Sequence, residues 1–230
     1  MTTLRRDKAQ IWNTDFLLLR PLHRLILDKV ASHVVAGGTI IDLGCGSMPY
    51  KEEIRAMGRH YVGADITTSA DIEIGPDGRV AMPDRSADAL LSVQVLEHVR
   101  NLDIYCAEMH RLMRDDATLI LSTHGTWLYH PHPEDHRRWT RTGLIVDLAD
   151  RGFRVDEIIP IAGPLATTTI LRLAGFAFVL RKLPLLGPLM AYGLAILMNI
   201  RAMIEDWITP AQMRLDNACI YLVCARKAPA

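Results

Sequence analysis

The sequence predicts an α/β fold, an open parallel sheet of seven strands covered by helices on both faces, and three observations carry that expectation. Short β-branched apolar runs alternate along the chain with segments of helical periodicity. Each crossover between such runs must return over the sheet, so the strands align in parallel. The first run also ends in a Gly-x-Gly loop that opens a helix, "TIIDLGCGSMPYKEEIRAMG".

Residues 15–36 place Phe16, Leu17, Leu22, Leu25, Ile26, Val30 and Val34 at helical spacing and stop at Gly37-Gly38, which predicts an amphipathic helix. "TIIDLG" is the first strand, and residues 44–58 read as a loop and a helix. "HYVGADI" and "ADIEI" are the second and third strands, and a loop through Asp77 and Gly78 follows. "DALLSVQVL" reads as a buried fourth strand, residues 101–114 as a helix, and "ATLILST" as the fifth strand. Thr140 can cap a helix over "RTGLIVDLADRG", "FRVDEIIPI" is the sixth strand, and "ACIYLVCARK" is the seventh.

The stretch between the last two strands, residues 160–215, is rich in Leu, Ala, Gly and Pro and contains an 18-residue run without charge, "LPLLGPLMAYGLAILMNI". Its length approaches that of a membrane span. A single crossing, however, would carry "ACIYLVCARK" away from the sheet that should bury it, and Pro184, Gly187 and Pro188 break the first third of the run. The expectation is an apolar helical insertion acting as a lid, a homodimer surface or a peripheral membrane contact through residues 160–205. Arg172, Arg181, Lys182 and Arg201 flank the apolar runs, as the interfacial case requires.

A chain of 230 residues, half of them hydrophobic, can bury one full core. It is read as a single domain with an N-terminal helical segment (1–37), a core (38–159), the insertion (160–215) and a last strand (216–230). Lysine plus arginine equal aspartate plus glutamate at 26 each, so no net field draws polyanions and nucleic acid is not an expected partner. The four cysteines show no CxxC spacing and are too few for a disulfide scaffold, which fits a reducing cytoplasm. Asp7, Lys8, Asn13 and Asp15 interrupt any signal-peptide core, so the expected location is cytoplasmic, with membrane association left open by the insertion.

The glycine loop is the most specific stretch. A dinucleotide site would want a third glycine where Pro49 stands, and no Gly-Lys-Ser/Thr follows for a P-loop. Gly44-Cys45-Gly46 does let backbone approach a ligand closely, with Asp42 placed to orient an ammonium group. Asp65 closes the second strand about twenty residues on, where a carboxylate can accept both ribose hydroxyls or simply cap a turn. Such a set suits S-adenosylmethionine.

These residues resemble the class I S-adenosylmethionine-dependent methyltransferases over residues 38–159, and in particular a bacterial branch reading "GCGSxPYK", here Gly44 to Lys51. "VAMPDRSADALLSVQVLEHV" is similar to that family's "LPFPDxSFDxVxxxxVLEHV", with Ala81, Met82 and Ala87 as departures. The resemblance implies a Rossmann-like seven-stranded methyltransferase sheet. It further implies that Asp42, Gly44, Cys45 and Gly46 line the methionine end of S-adenosylmethionine and that Asp65 and Ile66 hold the ribose. Asp77 and Gly78 would meet the adenine amino group, and Gln94 and Val95 would flank adenine and sulfonium. His98 of "LEHV" would lie near the cofactor carboxylate or cap a helix start.

In an open parallel sheet the ligand sits beyond the carboxyl ends of the strands, so the loops after strands four and five face the acceptor. His124 ends the fifth strand and is the favoured base, with His130 and His132 in the same loop as competitors. Those two belong to "YHPHPEDHRRWT", residues 129–140, which could be a metal site, a base or a structural turn. It is similar to a family segment "HPxPxDYWRxTxxGL", with His136 and Arg137 in place of aromatic residues, and this favours structure and acceptor-pocket lining over metal ligation. Asp135 and Arg138 can then pair, Trp139 can seal the next helix, and no metal is expected. Loss of the two aromatics should make the pocket more polar.

The implied activity is methyl transfer to a small-molecule, sugar or lipid-linked acceptor at a hydroxyl, since members of this branch accompany glycan, lipid-linked glycan and secondary-metabolite synthesis. Two other readings stand beside it. One is a non-catalytic cofactor-binding partner protein of the same fold; the other is a metal-dependent hydrolase using the His130–His136 cluster.

Overall fold

A computed structural model describes residues 9–229. Seven strands form one sheet in the order β3-β2-β1-β4-β5-β7-β6. They are β1 (Thr39–Leu43), β2 (His60–Asp65), β3 (Ile72–Glu73), β4 (Ala87–Val93), β5 (Met113–His124), β6 (Phe153–Ile161) and β7 (Ile220–Lys227). The helices are α1 (Phe16–His33), α2 (Lys51–Ala56), α3 (Leu102–Leu112), α4 (Arg141–Ala149), α5 (Pro164–Leu180), α6 (Gly187–Ile208) and α7 (Ala211–Asp216).

Strands β1 to β5 pair in parallel as their alternation with helices predicts. The fully parallel expectation fails at β7, which runs antiparallel to both β5 and β6. Its cause lies in the insertion: α5, α6 and α7 leave and return at the same end of the sheet, so β7 starts where β6 stops. Ile220 pairs with Ile161, and the Cys219 N–H donates to the Ala162 carbonyl over 2.8 Å.

Helices cover both faces because the strands are apolar on both. Leu102, Cys106 and Met109 of α3 and Leu144 and Leu148 of α4 pack with Ile41, Leu90 and Leu121 on one side. On the other side Leu22, Ile26 and Val30 of α1, Ile54 of α2 and Ile170 of α5 pack with Ile40, Leu91 and Ile120. Asn101 caps α3 by accepting the N–H groups of Asp103 and Ile104, and Thr140 caps α4 by accepting that of Gly143.

Three boundaries differ from the sequence reading. The first helix ends at His33 rather than at the glycines, and β5 begins four residues earlier, at Met113. The fourth strand stops at Val93, because Gln94 takes a φ of +58° and turns the chain into a short 3-10 helix at Leu96–His98. That bend is what brings "LEH" over the end of the sheet.

Candidate active site

The strand order reverses between β1 and β4, since β2 and β3 follow on one side and β5 on the other. A crevice at the carboxyl ends of β1 and β4 is the place where such a sheet binds ligands. Gly44, just past β1, sits in it at φ +81°, and a Cβ there would lie 2.5 Å from a Val95 methyl carbon. Glycine is therefore required on two counts, backbone hand and space. Gly46, at φ +52°, has nothing within 4 Å of its Cβ position, which leaves its backbone open to a ligand.

Asp65 ends β2 beside this loop and is largely buried. One of its oxygens accepts the Gly46 N–H over 2.8 Å and the other that of Thr67 over 3.2 Å. Each carboxylate oxygen keeps a further lone pair for a ribose hydroxyl. Ile66, the next residue, leaves an apolar side chain 60 % exposed at the same edge. Asp42 lies within β1, buried, and accepts the Tyr61 hydroxyl over 2.5 Å. The Cys45 thiol is buried, and desolvation together with Asp42 and Asp65 pushes it up to about 12, so it packs rather than reacts.

Asp77 and Gly78 form the turn after β3. The Gly78 N–H donates to the Gly75 carbonyl, and the Asp77 carboxylate accepts the Arg79 N–H over 3.1 Å. Gln94 donates its side-chain amide to the Ser122 hydroxyl over 3.1 Å, which fixes the bend that presents Val95 to Gly44. The S-adenosylmethionine-binding candidates after β1, β2, β3 and β4 thus share one end of the sheet.

The acceptor side begins at His124, the last residue of β5. It is 5 % exposed, stacks on Trp127 at 5.6 Å, and burial holds its ring down at about pKa 2, with His130 and Arg138 adding to the effect. The ring is consequently neutral and a feeble proton acceptor. His130 stands edge-on to both His124 and His98 at 5.0 Å. Its Nδ1 lies 2.9 Å from the Leu128 carbonyl oxygen, a group that can only accept, so Nδ1 carries the hydrogen and Nε2 the lone pair. Asp135 fastens this geometry by accepting the His130 backbone N–H over 2.9 Å. His132 is exposed, and its ring centre lies 6.4 Å from those of His98 and His130. His98 hydrogen-bonds the Glu134 carbonyl over 2.6 Å, so it ties down the histidine loop as well as ending the 3-10 turn.

Glu97 is the residue that sequence reasoning passed over. It is fully buried, its Oε2 accepts the Thr123 hydroxyl over 2.8 Å, and its Oε1 faces His124 Nε2 at 3.6 Å without a hydrogen-bond partner. Burial raises its carboxyl above the ordinary range. A glutamate within the apolar "VQVLEHV" run was the available signal, but only the bend at Gln94 turns it toward the histidines. Among the described residues, Glu97, His124 and His130 each offer a ligand atom within 4.8 Å of the others, a set able to hold a metal ion.

That set takes only His130 from the run at 130–136, so the hydrolase reading loses the contiguous ligand group it was built on. His136 bonds Glu134 instead, at 3.0 Å. Arg137 donates to the carbonyls of Val99 and Arg100, which makes it a strut beneath the loop rather than a polar pocket wall. The expected Asp135–Arg138 pair is present as a two-pronged contact of 2.5 and 2.7 Å, and it holds the Asp135 carboxyl far below its usual range. Trp139 is buried against Leu144 and Leu148 and donates to Asp147 over 2.7 Å, sealing α4. Lys51 and Asp71, also missed, pair at 2.5 Å, and Asp71 accepts the Gly63 N–H, so the lysine of "GCGSMPYK" braces β2.

Comparison with known proteins identifies the family. Residues 16–177 match the family model described as "Methyltransferase domain". A Mycolicibacterium smegmatis protein named "Probable S-adenosylmethionine-dependent methyltransferase" is 23% identical over 156 residues, 60% of each chain. A Chelativorans "Ubiquinone biosynthesis O-methyltransferase" is 28% identical over 146 residues, 50% of this chain and 58% of the relative. The chain therefore spans between 41% and 60% of the length of the curated relatives it matches. Among solved structures, the [4+2]-cyclase SpnF superposes with a TM-score of 0.60 at 16% identity over 90% of this chain and 81% of that one. The Burkholderia thailandensis 1,6-didemethyltoxoflavin-N1-methyltransferase, crystallised with S-adenosylhomocysteine, gives 0.57 at 12% identity over 90% and 79%. The family match takes in most of the sheet, and the chain belongs to the methyltransferase-domain family.

Proposed function

We propose that the protein transfers a methyl group from S-adenosylmethionine to a hydroxyl of a small, lipid-type acceptor. The observation that carries this reading is the meeting of two groups at one end of the sheet. The glycine crevice with Asp65 lies after β1 and β2, and the Glu97–His124–His130 cluster lies after β4 and β5. Several relatives bear the name "Ubiquinone biosynthesis O-methyltransferase", which supports oxygen as the methylated atom and an apolar acceptor.

The bound cofactor supplies an electrophilic methyl group on sulfur. The displacement is in line, so the chain's main task is to align acceptor and donor, worth roughly 7–11 kcal/mol of the barrier. The glycine turn at Gly44 and the open backbone at Gly46 admit the donor, Asp65 accepts its ribose hydroxyls, and Ile66 and Val95 give apolar cover to the base. Asp77 and Gly78 bound the adenine end. On the acceptor side His130 Nε2 receives the hydroxyl proton, because its Nδ1 hydrogen is already committed to Leu128. His124 serves as a wall, being too weak a base, and His132 lies at the rim. This chemistry needs no Lewis acid, so turnover should survive chelation.

The test is transfer of labelled methyl from S-adenosylmethionine into cell extracts split into lipid, glycan and small-molecule fractions. Labelled lipid together with S-adenosylhomocysteine release supports the reading. Cofactor binding without release in any fraction would overturn it in favour of a non-catalytic binding protein, a real alternative because fold does not fix chemistry.

A further inference from the structure

We propose that the α5–α6 hairpin docks the protein on an anionic lipid bilayer and holds the acceptor loop at the bilayer surface. The proposal deepens the lipid-type acceptor reading and rests on it only for what the docked site does.

The carrying observation is that α6 has its sizes inside out. On α6 the buried residues are Gly187, Ala191, Ala195, Asn199 and Ala202, whereas Leu189, Leu197, Ile204, Trp207 and Ile208 are exposed. A helix that packs on its own protein in water does the reverse, burying the large apolar side chains. Small residues let the two helices approach closely, as in lipid-facing pairs: a Cβ on Gly187 would lie 2.1 Å from the Leu180 carbonyl oxygen. The outer faces of Phe176, Phe178 and Val179 continue the patch on α5.

The tip joining the two helices repeats the pattern. Leu185 is 95 % exposed and holds a φ of +62°, a conformation glycine adopts without strain. Its side chain gains nothing from the protein's own core, so the gain has to come from outside.

Charge selects the occupant. Residues 164–204 contain Arg172, Arg181, Lys182 and Arg201 and no carboxylate; Glu205 just beyond pairs with Arg201 at 2.7 Å, so the net positive charge of the hairpin rests on Arg172, Arg181 and Lys182. All four cations are exposed, and Lys182 lies over the Phe178 ring at 4.4 Å, its stem along apolar surface. Phosphate headgroups complement such a rim. A second copy docked through the same residues does not, because 164–204 would bring only further cations and no carboxylate to the contact.

Alpha-6 is long and apolar enough to cross a membrane by length and composition. Its inner face is nevertheless committed to the domain. Asn199 donates to the carbonyls of Ile11 and Asn13 over 2.7 and 2.8 Å, and Ala202 packs in the core beneath the sheet. Only the outer face and tip are free to enter the headgroup boundary, the geometry of a helix that lies on a membrane.

The root of the hairpin is tied to the acceptor loop. The Cys219 N–H donates to the Ala162 carbonyl just before α5, and the Cys219 carbonyl accepts the N–H groups of Gly125 and Thr126, adjoining His124. Docking would thus fix the mouth of the site relative to the bilayer, where a lipid-linked hydroxyl could enter without leaving it.

The experiment is co-sedimentation of the full chain with vesicles of phosphatidylcholine alone or mixed with phosphatidylglycerol, with no acceptor present. Binding to the mixed vesicles that weakens with salt is expected. A Leu185→Asp/Leu186→Asp variant should lose at least about tenfold in partitioning, with melting temperature and S-adenosylhomocysteine affinity unchanged, since both leucines are exposed. Wild-type protein left in the supernatant with either vesicle, or a variant that sediments like wild type, would overturn the proposal. So would a dimer in solution that the same variant abolishes, since the patch would then belong to a second copy. Loss of cofactor binding or turnover sinks the enzymatic reading and leaves the sedimentation result standing.

Discussion

Replacing Gly44 by alanine tests the crevice directly. The residue sits at φ +81°, where an L side chain costs about 1–2 kcal/mol. Its new Cβ would lie 2.5 and 2.7 Å from the two Val95 methyl carbons, an overlap that costs a further ~1–3 kcal/mol. The summed loss is roughly 2–5 kcal/mol, large against a typical domain stability of about 5–15 kcal/mol. Only the overlap can be relieved from the other side. Val95→Ala removes both methyls and leaves a Val95 Cβ contact of 3.2 Å, so the double variant should be ~1–3 kcal/mol more stable than the sum of its singles. Urea unfolding of the four proteins measures this cycle, and titration with S-adenosylhomocysteine shows whether the crevice still closes on the ligand. Additivity within about 0.5 kcal/mol would refute the claim that the segments following β1 and β4 touch through Gly44 and Val95.

Other outcomes follow from the same geometry. Asp65→Asn should weaken S-adenosylhomocysteine binding by about 10–150-fold, the loss of one charge-assisted bond of about 1.5–3 kcal/mol, and calorimetry showing a change under threefold would remove Asp65 from the site. His130→Ala should lower kcat by about 10²–10⁴-fold with cofactor affinity retained; full turnover would exclude His130 as proton acceptor. Turnover should be indifferent to EDTA, and a loss restored by added divalent cation would instead assign Glu97, His124 and His130 to a metal. Acid unfolding should report the brace at β2. Lys51 holds the Asp71 carboxyl below its ordinary range, so that pair stabilises the fold above the unfolded carboxylate pKa and is lost as pH falls through the lowered folded value. Lys51→Met should flatten that acid limb, and an unchanged pH profile would show that the pair contributes nothing.

Strand and helix identities were legible in the sequence because each depends on local periodicity and punctuation. β-branched runs and the Thr140 cap announced themselves within a few residues, and so did the glycine loop and the Asp135–Arg138–Trp139 scaffold. What the tertiary structure alone decided depends on groups distant in the chain. The reversal of β7 follows from where a three-helix excursion returns, which no local pattern encodes. Glu97 became a site residue only because Gln94 bends the chain at the end of β4 and folds it onto His124, 27 positions later, and a loop histidine beyond. The 160–205 segment was apolar by composition alone, but whether apolar means core or surface is a question of which face packs. Only the packed hairpin shows that α6 buries its small residues and faces its large ones outward.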